Sequence, residues 1–366
     1  MAYYPDWAGS SFPPETIDFT RFDWIDFAFA LPTEDFTLTW DDPTGAPDLL
    51  RRLAKAAHAD KKKVKLSVGG WAGSRYFSSA VRTAQNRRSF VNNIFTLYKS
   101  FGLDGIDIDW EYPAQQGEGG NQVDPNDSAN FLLFLNMLRT TLPSSAIITA
   151  ATQAQPFLNS DGVPMKDVSQ FAKVLNWILL MNYDVWGSSA QPGPNAPLYD
   201  ACNNSSQPGA SAVGGYNAWT SAGMPASQMV LGVPSYGYLS ASTAKSLRTR
   251  SQTQYVRLKG DDQIQFRELI NQGALVRSST RDNYGPIFNG GGGFTRYWDK
   301  CSSTPYLRSP SAGQLVAYDD PQSLGMKAAF AKRVGMLGVN MFDIHGDADG
   351  WDLTDSVRRG LGLQTQ

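Results

Sequence analysis

Three acids at two-residue spacing carry the clearest chemical potential in this chain: Asp107, Asp109 and Glu111, in Asp104-Gly105-Ile106-Asp107-Ile108-Asp109-Trp110-Glu111. On a strand, side chains alternate faces with a rise of about 3.3 Å per residue. The three acids therefore share one face, and Ile106, Ile108 and Trp110 share the other. Like charges so close raise at least one pKa, and burial raises it further, so the acids are expected to titrate as a coupled group. We expect a proton shared between Asp107 and Asp109, with Glu111 kept protonated enough to act as a general acid on a glycosidic bond. A lone Asp-x-Asp also suits a surface pair or a divalent-metal site. Three alternating acids ending in Glu, on an otherwise apolar strand, are harder to explain by packing.

Other chemistries find little support. The chain has two histidines, His58 and His345, and two cysteines, Cys202 and Cys301. Two cysteines alone are too few for a zinc finger or an iron–sulfur centre, two histidines argue against a His-based metal site, and no metal site or cofactor is expected. The net charge is -2 and the pI near 5.8. The one basic run is Lys61-Lys62-Lys63, which argues against a nucleic-acid partner. No apolar run of about 18 residues exists to cross a membrane. The run His345-Gly346-Asp347-Ala348-Asp349-Gly350 resembles a calcium loop only briefly, because an acid is missing at its first position and a Glu at its last. Helix capping is the better explanation for it.

The elements that must position the acids follow an alternating β–α rhythm. Strands are expected near 2–7, Trp24–Ala30, Val64–Gly70, Gly105–Glu111, Ala146–Ala151, Leu175–Asp184, Met229–Tyr236 and Met336–Asp343. Amphipathic helices are expected at Asp48–His58, Asn86–Phe101 and Ser128–Leu142. Eight strands with intervening helices predict an α/β fold, a closed (β/α)8 TIM barrel. Its apolar strand face would meet the helices and its acids would line the interior, with Glu111 at the carboxyl end where barrel enzymes place their sites. No Gly-x-Gly-x-x-Gly follows the first strand, which disfavours a dinucleotide fold. From Tyr238 to about Gly313 the rhythm breaks. Tyr255–Leu258, Ile264–Asn271 and Phe294–Trp298 read as ordered, and Gly290–Gly293 as a turn. The expected organisation is a barrel from 1–237 and 314–366, with a small α+β insertion at 238–313 between strands seven and eight.

The acidic run with Tyr112-Pro113 resembles the Asp-x-x-Asp-x-Asp-x-Glu signature of glycoside hydrolase family 18, the chitinases. Tyr3-Tyr4-Pro5-Asp6-Trp7, Phe27-Ala28-Phe29-Ala30, Ser67-Val68-Gly69-Gly70-Trp71, Met181-Asn182-Tyr183-Asp184 and Gly232-Val233-Pro234-Ser235-Tyr236-Gly237 resemble other family segments in the family's order. The insertion resembles the chitinase insertion domain of the bacterial-type subgroup. The resemblance implies retaining, substrate-assisted hydrolysis of β-1,4-linked N-acetylglucosamine, in which the 2-acetamido group is the nucleophile. It implies Glu111 as acid and then base, Asp109 orienting the acetamido N–H, and Asp107 holding or exchanging the proton with Asp109. Tyr183 would fix the acetamido oxygen, and Asp184 would bind the same sugar. Tyr3, Phe29, Ser67, Trp71, Tyr112, Met181, Trp186, Tyr236 and Phe342 are the implied substrate-binding residues. Trp298, Tyr76 and Tyr216 are further candidates for stacking outer sugars. The family usually places a Trp at the floor of the site, where this chain has Phe342.

The implied partner is chitin or a chitooligosaccharide, acted on by a secreted monomer. No signal peptide is evident before Met1-Ala2-Tyr3-Tyr4. A Cys202–Cys301 disulfide is the expectation under secretion. The competing readings are an endoglycosidase acting on N-glycans and a chitin-binding lectin without turnover.

Overall fold

The computed structural model describes residues 1–187, 192–240, 246–247, 256–257 and 263–364. Eight parallel strands make a closed barrel, in the hydrogen-bonded order β1-β18-β8-β7-β6-β5-β4-β2, closed by the pairing of β1 with β2. Helices alternate with these strands, so the fold is the expected α/β barrel. The strands are named below within the two compact units that the chain forms: residues 1–180 with 217–230, and residues 181–216 with 231–366.

The first unit begins with β1 (Ala2–Pro5), β2 (Trp24–Pro32) and the short β3 (Leu38–Thr39), which pairs with the end of β2. Next come α1 (Gly45–Ala59), β4 (Lys63–Gly69), α2 (Phe77–Arg82), α3 (Ala84–Ser100) and β5 (Gly105–Asp109). Then follow α4 (Asp127–Thr141), β6 (Ile147–Thr152), α5 (Ser169–Val174) and β7 (Trp177–Met181), whose last residue belongs to the second unit. The alternation of the acidic run decides how β5 sits. Ile106 and Ile108 are buried, and Trp110 stacks on Phe77 at 5.2 Å and meets Phe131 edge-on at 5.5 Å. This aromatic layer turns the opposite face of β5, with Asp107 and Asp109, inward. Register aligns Ser67, Asp107 and Thr149 as cross-strand neighbours on β4, β5 and β6.

Helix α6 (Ala212–Ser221) leads to β8 (Met229–Pro234). Strands β9 (Tyr236–Ser240), β10 (Ser246–Leu247), β11 (Val256–Arg257) and β12 (Gln263–Gln265) follow, then α7 (Phe266–Asn271). After these come β13 (Leu275–Arg281), β14 (Pro286–Gly290), β15 (Thr295–Asp299), β16 (Thr304–Ser309) and β17 (Gln314–Ala317). Between β8 and the last barrel strand, β18 (Gly338–Phe342), the chain thus builds an antiparallel sheet in the order β12-β9-β17-β16-β15. This sheet runs from Tyr236 to Ala317, slightly wider than the 238–313 stretch marked by the break in rhythm. Of the expected ordered segment Tyr255–Leu258, Val256 and Arg257 form β11, while Tyr255 and Leu258 lie outside the described residues. The glycine run is a turn between β14 and β15, with Gly292 and Gly293 at positive φ.

Helices α8 (Pro321–Arg333) and α9 (Asp352–Leu361) close the chain. The Asp347 carboxylate accepts the backbone N–H groups of Leu353 and Thr354, at 2.9 and 2.8 Å. The aspartate-rich run therefore serves the first turn of α9, as capping chemistry expects. Cys202 and Cys301 are joined in a disulfide with Cα atoms 5.3 Å apart.

Candidate active site

Strand β5 ends at Asp109, two residues earlier than the alternation suggests, and Glu111 stands just beyond it. Its backbone is held there from two sides. The Glu111 N–H donates to Ser74 Oγ at 2.9 Å, and its carbonyl accepts from Asn121 Nδ2 at 3.1 Å. Ser74 is oriented by donating to the Gly70 carbonyl at 2.8 Å. Gly69, at φ +113°, leaves no room for a side chain: a Cβ there would lie 2.2 Å from the Asp109 carbonyl oxygen. The β4–β5 contact at the site therefore requires glycine.

Asp107 is fully buried and accepts three hydroxyl hydrogen bonds. Tyr3 and Ser67 donate to Oδ2 at 2.9 and 2.8 Å, and Thr149 donates to Oδ1 at 2.5 Å. Asp109 is also buried, and its Oδ1 has no hydrogen-bond partner among the described residues. Burial, then the charges of Glu111 and Asp107, push its carboxyl well above the usual carboxylate range. The two acids thus differ in their hydrogen-bond partners. Three hydroxyls donate to Asp107, while desolvation favours the acid form at Asp109.

The same unit carries an aromatic surface. Phe29 is half-buried over Gly70, with its ring 6.3 Å from Tyr3 and 6.4 Å from Trp7. Trp71 and Trp7 are each 50% exposed. Trp7 was readable only as part of the first-strand motif, and its exposure marks it as a further aromatic candidate. Tyr112 is half-buried directly after Glu111, and Tyr76 is half-buried beneath Arg75. Tyr3 and Ser67 depart from the expectation of substrate contact. Both are buried, and their hydroxyls are committed to Asp107.

The second unit holds the other group. Asp184 sits at φ +59° and accepts the hydroxyls of Tyr236 and Tyr238 at 2.5 and 2.8 Å. Asn195 accepts the Asp184 N–H at 2.9 Å and donates to the Tyr236 carbonyl at 3.1 Å. Burial and then the Asp184 charge keep the Tyr236 phenol protonated far above its ordinary range. Tyr183 lies 6.2 Å from both the Tyr236 and Phe342 rings, and Phe342 ends β18. Met181 is half-buried at the end of β7. Tyr238 and Asn195 were not among the expected site residues. Tyr238 was legible as the same-face neighbour of Tyr236, whereas Asn195 lies in a loop with no periodic signal.

Three stacking candidates have other neighbours. Trp186 packs over Gly193, where a Cβ would come within 2.4 Å of its indole. Trp298 carries Arg296 over its ring at 5.3 Å. Tyr216 donates to the Val334 carbonyl at 3.3 Å and meets Phe330 edge-on at 5.8 Å. These contacts are those of a packing position.

A buried carboxylate pair followed by a half-exposed Glu, at the carboxyl end of a barrel strand, is an arrangement suited to general-acid chemistry. Comparison with known proteins narrows the class. Residues 1–347 match the profile of "Glycosyl hydrolases family 18", and the chain belongs to this family. It is 37% identical to a chitinase-like effector of Moniliophthora roreri, over 99% of this chain and 93% of that protein. It is 31% identical to chitinase A1 of Niallia circulans, over 84% of this chain and 44% of that protein. Among solved structures, a Rhizomucor miehei chitinase superposes with a TM-score of 0.79 at 31% identity, covering 98% of both chains.

Proposed function

We infer that this protein is a chitinase, a glycoside hydrolase that cleaves β-1,4-linked N-acetylglucosamine in chitin and chitooligosaccharides. The carrying observation is the asymmetric carboxylate column. Asp107 is saturated with hydroxyl donors, Asp109 is driven toward its acid form, and Glu111 is clamped through its backbone at the accessible end. Such a column supplies one proton at one end and refuses a second negative charge below it.

In the proposed sequence, Glu111 gives its proton to the glycosidic oxygen as the C1–O bond breaks. The carbonyl oxygen of the 2-acetamido group bonds to C1, forming an oxazolinium ion. Glu111 then takes a proton from water as the water oxygen bonds to C1 and the C1–O bond of the oxazolinium ring breaks, which restores the 2-acetamido group, and retention follows. Asp109 orients the acetamido N–H, and once the shared proton rests on Glu111 its carboxylate stabilises the developing positive charge. Tyr183 fixes the acetamido oxygen, and Asp184 binds the same sugar, held in place by Tyr236 and Tyr238. Phe29, Trp71, Tyr112, Met181, Trp186, Tyr236 and Phe342 contribute contacts to the sugar chain. Tyr3 and Ser67 act one step back, through Asp107. The antiparallel sheet between β8 and β18 is proposed as the insertion domain. Secretion is proposed from the Cys202–Cys301 disulfide, which suits an oxidising compartment.

The test is product analysis on chitin hexamer with anomer resolution. Retained β-anomers are expected, together with loss of turnover but not of oligomer binding in Glu111→Gln. Inverted product, wild-type activity in Glu111→Gln, or efficient cleavage of fully deacetylated oligomers would refute the scheme. The relatives from Moniliophthora roreri and Moniliophthora perniciosa bear the name chitinase-like effector. That name motivates a second reading, chitin binding without turnover, which wins if the hexamer is bound but stays intact. Release of glycan from an N-glycoprotein in place of chitin cleavage would instead mark an endoglycosidase.

A further inference from the structure

Beneath the carboxylate column lies a charge pair that the reaction scheme does not use. Lys65 on β4 is 1% exposed, and its Nζ lies 3.2 Å from Asp26 Oδ1 on β2. The ammonium also sits 4.8 Å from the centroid of the Trp177 ring on β7, within cation–π range. A lysine is almost never fully buried unless it is paired and hydrogen-bonded. Its remaining bond explains where it points. Lys65 Nζ donates to Thr149 Oγ1 at 2.8 Å, and Thr149 Oγ1 stands 2.5 Å from Asp107 Oδ1.

Hydrogen counting fixes the direction of this chain. An ammonium group can only donate, and a threonine hydroxyl has one proton and two lone pairs. Thr149 must therefore accept from Lys65, which leaves its single proton for Asp107. Without that donor, the Thr149 hydroxyl could turn and accept a proton from Asp107 instead. Among the described residues of this unit, the ionisable groups facing Asp107 are Tyr3 on β1, Asp26 on β2, Lys65 on β4, and Asp109 and Glu111 on and beyond its own strand. Strand β6 presents neutral Thr149, and β7 the Trp177 ring. Lys65 is the one cation in this set.

We propose that Lys65, anchored by Asp26 and acting through the Thr149 hydroxyl, is a positioning residue that keeps Asp107 ionised and so assigns the proton of the column to Asp109 and Glu111. This deepens the glycosidase reading and rests on it for its catalytic meaning. The hydrogen-bond chain itself does not depend on the substrate.

The test compares Thr149→Val, Thr149→Ser and the paired Asp26→Asn/Lys65→Met, which removes both buried charges together. Two readouts are taken on the full chain. One is the pH profile of kcat/KM on chitin oligomer, and the other is NMR titration of protein labelled with aspartate carboxyl carbon-13. Losing a donor to the ionised Asp107 makes its protonation easier. The acid-side ionisation should therefore move up by about one pH unit, roughly a tenfold gain in proton affinity. This is expected in Thr149→Val and in the double variant, while Thr149→Ser should keep the wild-type profile. An unmoved titration in either shifted variant, or a Thr149→Ser profile displaced as far as that of Thr149→Val, overturns the proposal. Thr149→Val leaves the ion pair whole, so it decides the matter if the double variant does not fold. The NMR titration needs no turnover. A wild type inert toward chitin would sink the enzymatic reading while this test still ran to its own result.

Discussion

Replacing Phe342 by alanine tests the floor of the site more sharply than any other single change. Phe342 ends β18 with its ring 6.2 Å from Tyr183 and 6.4 Å from Tyr236, and it is half-buried. On the proposed reading, the exposed part of the ring stacks on a sugar. A pyranose laid on a phenyl face removes on the order of 70 Å² of apolar surface from water, worth about 1.8 kcal/mol at roughly 25 cal/mol per Å². Phe342→Ala should therefore weaken oligomer binding by about twentyfold. Each lost ring contact adds about 0.5–1.5 kcal/mol of destabilisation, so the variant should also melt at a lower temperature. The assay is calorimetric titration with chitin tetramer in a Glu111→Gln background, where nothing is turned over. Phe342→Leu, which keeps most of the volume but not the flat face, should fall between the parent and the alanine variant. Phe342→Trp should tighten binding, because the indole offers a larger face. A folded Phe342→Ala protein whose affinity stayed within twofold of its parent would remove Phe342 from the floor.

Two further predictions concern stability. Changing Cys202 and Cys301 together to serine opens a loop of 99 residues. In the chain-entropy view this costs at most about 4.7 kcal/mol; a denaturation midpoint equal to the wild type, or free thiols in the native protein, would contradict it. Asp6 is buried, and burial followed by the charge of Asp41 lifts its carboxyl to about 6. Between pH near 4 and 6 the folded chain then holds a proton that the unfolded chain has released. This contribution to stability is full below that window and is lost as pH rises through it. Asp6→Asn should flatten the slope between pH 4.5 and 7.5 in urea midpoints, and an unchanged slope would exclude Asp6 as its source.

Much of this architecture is written locally. The alternation of Ile106, Ile108 and Trp110 with the acids decides which way β5 faces, because apolar side chains have only the helix layer to bury against. Helices α1, α3 and α4 fall within three residues of their apolar periodicity, since an amphipathic stripe specifies both the period and the buried side. The pairing of the two cysteines was at least an available guess in a chain with no other partner for either. Proton placement was not legible. Sequence alternation makes Asp107 and Asp109 equivalent, and only the tertiary neighbours distinguish them. Tyr3, Ser67 and Thr149 arrive from three different strands to saturate one acid and leave the other dry. Nothing in the linear pattern singles out Lys65 or Asp26. Barrel register brings them together in the interior, 39 residues apart in the chain. A linear pattern records which face a side chain takes, but hydrogen-bond partners come from other strands, and closure of the barrel selects them.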